Sequence, residues 1–244
     1  MCGRYAITSP PEDLKVLFGY CETPNFPPRT NIAPTQPVPV VHLSEGQRRF
    51  TLMRWGFVPG WVKELKGFPL IINIRSETIQ EKASFRAAFS RRRALMPADA
   101  FYEWQRFETA SRPFMLRPPD RKPFGFAALW ETWSANDGSE IDTVALINTT
   151  ANGVIAAIHE RSPVILPEAD FEQWLDPMTT PEAARKLLRP PAEDLLELVP
   201  ISTAVNKVAN DGPDVQQEVK RALAPEPHVK SAIRRSDGKQ GQLF

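Results

Sequence analysis

Apolar residues in this chain come in short runs, and turn formers close nearly all of them. The segments 37–43, 50–55, 93–97, 113–117, 124–130, 143–148 and 163–166 are rich in Val, Ile, Leu or Phe, and each predicts a short strand. Helical spacing is confined to about 82–91, 168–175 and 181–188. The last of these has Thr180 placed as its cap and Pro181 in its first turn. Ser9-Pro10-Pro11-Glu12 reads as a capping box, with a short helix expected through Leu14 and Leu17 and ending near Gly19. The 25 prolines argue against long helices. Many short strands with a few inserted helices predict one compact, β-rich domain of the α+β class, and there is no internal repeat. Beyond about residue 224 the periodicity is lost, so residues 1–223 are expected to form the domain and 224–244 a disordered tail.

Composition narrows the class. Of 244 residues, 42% are hydrophobic and 24% charged, as in ordinary soluble domains. No apolar run approaches the roughly 18 residues of a membrane span, and the polar, proline-interrupted start does not read as a signal peptide. The cysteines are Cys2 and Cys21, too few for a disulfide framework or a zinc site and suited to a reducing cytoplasm. His42, His159 and His228 have no metal-ligand spacing, so no metal or other cofactor is expected. The formal net charge is +1, but Arg86, Arg91, Arg92 and Arg93 crowd one stretch and Arg117, Arg121 and Lys122 another. These read either as solvated faces or as a local phosphate-binding strip.

The chemistry begins at Cys2. With Met1 trimmed, Cys2 would carry an α-amine and a thiol on adjacent carbons. An α-amine ordinarily titrates near about pH 7.8, so about a quarter of such amines are unprotonated at about pH 7.4, against about one lysine in a thousand. A 1,2-aminothiol of this kind condenses with an aldehyde to an imine, and the thiol then closes a thiazolidine ring. The alternative is a cysteine at a frayed terminus. Three polar residues stand in apolar or aromatic surroundings: Asn73 after Ile71-Ile72, Glu103 within Phe101-Tyr102-Glu103-Trp104, and His159 after Ile155-Ala156-Ala157-Ile158. Any one alone reads as structural or solvent-facing. Together they suit imine chemistry: a carboxylic acid to shuttle protons, an imidazole to protonate a sugar oxygen, and an amide to orient a hydroxyl or amine.

Eight segments, in order, carry a resemblance. They are Met1-Cys2-Gly3-Arg4-Tyr5, Asn31-Ile32-Ala33-Pro34-Thr35, Trp55-Gly56-Phe57-Val58-Pro59-Gly60-Trp61, Asn73-Ile74-Arg75-Ser76-Glu77-Thr78, Pro97-Ala98-Asp99-Ala100-Phe101-Tyr102-Glu103-Trp104, Ala128-Leu129-Trp130-Glu131, His159-Glu160-Arg161, and Val205-Asn206 with Asn210-Asp211-Gly212-Pro213. Over about residues 2–215 the chain resembles the SOS-response-associated peptidase family of abasic-site processing proteins. Ile74, Ala100 and Ser162 depart from its usual residues, and Ala100 is expected to affect a turn before Glu103.

The resemblance implies a fold of two packed sheets or a distorted barrel. It implies a DNA-repair protein that captures abasic sites in single-stranded DNA as a covalent thiazolidine through Cys2. Asn73, Glu103 and His159 would position groups and transfer protons in lyase-type Schiff-base chemistry. Arg4, Arg75 and Arg161 would contact flanking phosphates, and Trp61 would either stack on a base or pack in the core. The family name adds a peptidase activity that removes Met1. The expected protein is a cytoplasmic, nucleoid-associated monomer with no membrane partner. The ending Gln240-Gly241-Gln242-Leu243-Phe244 resembles a bacterial sliding-clamp-binding peptide, with Gln240, Leu243 and Phe244 as its anchors, or is a chance pentapeptide. Three rivals are an N-terminal-nucleophile amidohydrolase, whose cysteine would attack an amide, a papain-like protease, and a non-catalytic single-stranded DNA binder.

Overall fold

The computed structural model describes residues 2–108 and 110–219, together with the backbone of 226–227. The strands are β1 (Tyr5–Ile7), β2 (Arg29–Ile32), β3 (Pro37–Ser44), β4 (Gln47–Trp55), β5 (Asn73–Arg75), β6 (Arg93–Ala98) and β7 (Ala100–Arg106). They continue with β8 (Ala110–Arg117), β9 (Phe124–Ser134), β10 (Glu140–Thr150), β11 (Arg161–Pro163), β12 (Ile165–Leu166), β13 (Glu197–Pro200) and β14 (Glu226–Pro227). The helices are α1 (Pro11–Phe18), α2 (Ala83–Arg91), α3 (Gly153–Ala156), α4 (Phe171–Leu175) and α5 (Pro181–Lys186). Among the described residues no helix is long and apolar enough to cross a membrane.

One sheet closes on itself. Antiparallel pairings run β4–β3–β6–β9–β10, and a parallel pairing of β10 with β4 completes a five-stranded barrel. The far end of β10 outruns the barrel and carries β5 parallel through Leu146–Asn148, while β11 pairs with Asn148–Thr150. The second sheet is open, in the order β13-β8-β7-β1-β2. Both forms named by the resemblance are thus present at once: a barrel, and a sheet packed on it.

Aromatic side chains hold the two sheets together. Tyr5 of the open sheet meets Trp55 of the barrel edge-on at 5.5 Å and Phe126 at 6.1 Å. Phe101 meets Phe126 at 5.8 Å. All four rings are fully buried. Burying each contributes about 1.5–3 kcal/mol, so this cluster is a main source of cohesion between the sheets.

The seven predicted strands all form, most of them longer than the apolar run that signals them. The 163–166 run splits into β11 and β12 because Val164 turns aside: its N–H bonds the Ile147 carbonyl and its carbonyl takes the Ala127 N–H. Helix 181–188 starts as read, with the Thr180 hydroxyl accepting from the Ala183 N–H at 3.2 Å. The 168–175 pattern becomes a 3₁₀ turn (Glu168–Asp170) leading into α4. The capping box does not form. Ser9 gives its N–H and hydroxyl to the Asp99 carboxylate, so α1 is capped by Pro10 and ends at Gly19 in the left-handed conformation, φ 66°. Ala100 makes no turn either; it pairs with Ala6 at the start of β7. Of the expected tail, Glu226 and Pro227 pair with β8. The rest of that tail, with Gln240, Leu243 and Phe244, lies outside the described residues.

Candidate active site

Strand alternation decides which way Glu103 points. Phe101 faces the aromatic core between the sheets, and side chains two apart on a strand share a face. Glu103 therefore faces inward with Phe101, and it is 3% exposed. Its solvent-facing reading is overturned. Tyr102 points to the opposite face, into a smaller cluster with Met115 and Val199.

The same ladder delivers Cys2. Tyr5 pairs with Phe101 and Ala6 with Ala100, and the Tyr102 N–H bonds the Arg4 carbonyl at 3.0 Å. Continued one step, this register sets Gly3 beside Glu103 and brings Cys2 into the inter-sheet space. Cys2 is 1% exposed, not a frayed end. Its Sγ lies 3.6 Å from the Arg4 carbonyl oxygen. Burial, and then the charge of Glu103, push the thiol well above its ordinary range. A buried neutral thiol is a poor general nucleophile, so any chemistry here needs a proton acceptor close by.

Asn73 reaches the same point from the barrel side. Its register opposite Leu146 of β10 fixes its place, and its Nδ2 donates to the Cys2 carbonyl at 2.8 Å. Its Oδ1 is buried and meets no hydrogen-bond donor among the described residues. Unmatched buried acceptors are rare, and this one is open to a further donor. Asn73 also lines a cleft of about 360 Å³ with Arg75, Thr78, Lys82 and Phe85.

His159 follows α3 and precedes β11. Its backbone N–H bonds the Ile155 carbonyl, and its Nδ1 accepts the Arg161 backbone N–H at 2.9 Å. The same Nδ1 stands 3.2 Å from the Arg161 carbonyl oxygen, so the backbone of Arg161 fixes this edge of the ring in either tautomer. Cys2, Asn73 and Glu103 thus gather at the seam between the sheets, and His159 sits on the β10–β11 connection.

The four expected DNA contacts differ in availability. Arg75 is exposed, and its side chain makes no hydrogen bond or ion pair among the described residues. Trp61 is 65% exposed, its ring edge-on to Phe68 at 6.2 Å, so core packing is not its role. The loop that carries it leaves β4 at Gly56, φ 146°, where a Cβ would stand 2.5 Å from Leu70 Cδ1. Arg4 is half-buried and donates to Asn31 Oδ1 at 2.8 Å and to the Val205 carbonyl at 2.7 Å. Arg161 donates to both Glu77 oxygens, at 2.7 and 2.8 Å, and to Asn148.

In both basic clusters several side chains are engaged within the protein, while Arg86 and Arg91 are exposed. Arg93 is 3% exposed and donates to the carbonyls of Phe89, Ser90, Trp174, Asp176 and Thr179. Arg92 pairs with Glu131, Arg117 and Arg121 with Glu197 and Glu218, and Lys122 with Asp120. Sequence reasoning gave Asn31 and Asp211 no roles. Asn31 is fully buried and bonds the carbonyls of Val205, Lys207 and Asn210, while Asp211 accepts the N–H groups of Thr30 and Asn31. They tie β2 to the 203–216 segment. Their presence in the matching segments was the available signal.

A family model described as SOS response associated peptidase (SRAP) matches residues 1–208. The chain belongs to the SRAP family. It is 33% identical over 220 residues to the abasic site processing protein YoqW of Bacillus subtilis, covering 88% of this chain and 98% of that one. It is 26% identical to the abasic site processing protein YedK of Escherichia coli, covering 90% and 100%. It is 28% identical to the abasic site processing protein HMCES of Xenopus tropicalis, covering 88% and 77%. A solved protein of Bacteroides thetaiotaomicron shares the SRAP chain's fold with a TM-score of 0.81 at 22% identity, over 89% of this chain and all of that one.

Proposed function

We propose that this SRAP protein captures abasic sites in single-stranded DNA as a covalent thiazolidine on Cys2, after Met1 has been removed. The observation that carries the reading is the Cys2 environment: a buried thiol beside Glu103, with its own carbonyl held at 2.8 Å by the Asn73 amide. A frayed or merely structural cysteine would need neither partner. The relatives named as abasic site processing proteins support the substrate.

The reaction is a condensation. The Cys2 amine adds to the C1 aldehyde of the ring-opened deoxyribose, and the carbinolamine loses water to give an imine. The thiol sulfur then bonds the imine carbon while its proton passes to nitrogen. Glu103 takes and returns the protons of these steps, which suits a thiol that stays protonated until it attacks. The His159 imidazole donates a proton to the ring oxygen as the sugar opens. The unmatched Asn73 Oδ1 receives the Cys2 amine or a sugar hydroxyl. Arg75 meets a phosphate and Trp61 offers a stacking face at the surface. Removal of Met1 by the chain itself would make the same buried thiol a peptidase nucleophile.

A denaturing gel tests this. Wild-type protein is expected to retain an abasic oligonucleotide, and Cys2→Ala to retain none. An undiminished band for Cys2→Ala would remove the mechanism.

A further inference from the structure

Three strands run side by side at the far end of β10, with β5 on one edge and β11 on the other. Asn73 belongs to β5, and His159 lies two residues ahead of Arg161 in β11. The two are far apart in the chain, and β10 pairs with both strands. The Arg161 guanidinium reaches across β10. It donates to Asn148 Oδ1 at 2.6 Å and to the Asn148 carbonyl at 3.0 Å, then closes a two-pronged ion pair with Glu77 in the 3₁₀ turn (Ser76–Thr78) after β5. The Arg161 side chain is only 15% exposed. Such fork-to-fork pairs fix direction as well as distance. The backbone N–H of the same arginine holds His159 Nδ1. Glu77, in turn, is held below the usual carboxylate range, chiefly by its hydrogen bond from Arg161.

We propose that Glu77 is a positioning residue: through Arg161 it holds the His159 ring in place, across β10 from Asn73. The inference deepens the proposed abasic-site chemistry and rests on it. Glu77 touches no reacting atom. It occupies the Nη1–Nη2 edge of the guanidinium.

The test uses the full chain and a double-mutant cycle with Glu77→Ala and His159→Ala. Single-turnover adduct formation at saturating abasic oligonucleotide is expected to slow about tenfold in Glu77→Ala, within the range of coupled neighbours, and to slow no further when Glu77→Ala is added to His159→Ala. Oligonucleotide affinity and its salt dependence stay as in wild type. An equal slowing in both backgrounds would mark a structural role and overturn the proposal. An unchanged rate, or tighter binding with a steeper salt dependence, would overturn it too, the latter making Glu77 a competitor of phosphate. A second readout needs no DNA. In imidazole ¹⁵N–¹H spectra, with His159→Ala used for assignment, the wild-type ring should hold predominantly one tautomer and Glu77→Ala should shift it toward a mixture. If wild type forms no adduct, the proposed function falls, and this spectrum alone decides: an unchanged tautomer overturns the role of Glu77.

Discussion

The Asn73 side-chain amide donates to the Cys2 backbone carbonyl at 2.8 Å, so a barrel strand edge grips the residue that the open sheet delivers. The bond fixes the peptide next to the proposed nucleophile and leaves Asn73 Oδ1 for the amine or the sugar. Asn73→Ala should slow adduct formation about tenfold or more, since a buried carbonyl then loses its donor at a cost of about 1–3 kcal/mol. Asn73→Asp should be slower still, because a carboxylate cannot donate to the carbonyl. Single-turnover rates on an abasic oligonucleotide measure both.

The two cysteines should differ in reactivity. Cys2 is buried and its thiol is pushed up, first by burial and then by Glu103, whereas Cys21 is exposed. A raised thiol pKa means less thiolate at any given pH, and thiolate is the form that alkylates. Iodoacetamide at about pH 8 should therefore modify Cys21 well before Cys2 in the native protein, and both at similar rates once unfolded. Peptide mass spectrometry reads the two sites. Rapid native labelling of Cys2 would contradict its burial.

Arg75 and Arg4 should separate binding from stability. Arg75→Ala should weaken single-stranded DNA binding across sequences and lower the salt slope by about one, with the melting temperature unchanged. Arg4→Ala leaves Asn31 Oδ1 without its donor and the Val205 carbonyl with only the longer bond from Asn31 Nδ2. It should cost about 1–3 kcal/mol of stability, seen as a lower melting temperature.

Trp61→Ala should leave stability intact, because the ring is 65% exposed. If the ring stacks on a base, affinity for single-stranded DNA should fall by about 1–3 kcal/mol. Fluorescence anisotropy with a labelled oligonucleotide checks the second point, and thermal melting the first.

The barrel was legible because its strands are long enough to show their apolar runs. β1, β2 and β5 have three or four residues each and take their place from pairing, not from pattern. Ser9 was misread as a cap because Asp99, which captures it, lies far along the chain. The arginine clusters were ambiguous for the same reason: Glu131 and the carbonyls around Asp176 are distant in sequence from Arg92 and Arg93. Asn73, Glu103 and Cys2 stood out as polar groups in apolar settings, and burial is what that setting meant. The Glu77–Arg161–Asn148 bridge was invisible, since it depends on β5 and β11 flanking one strand.

Intact-mass spectrometry of the full chain, before and after incubation with an abasic oligonucleotide, tests the central claim most directly. The account predicts a starting mass lacking Met1, and an adduct equal to protein plus oligonucleotide minus one water. An adduct that retains Met1, or no adduct on protein that has lost it, would contradict it.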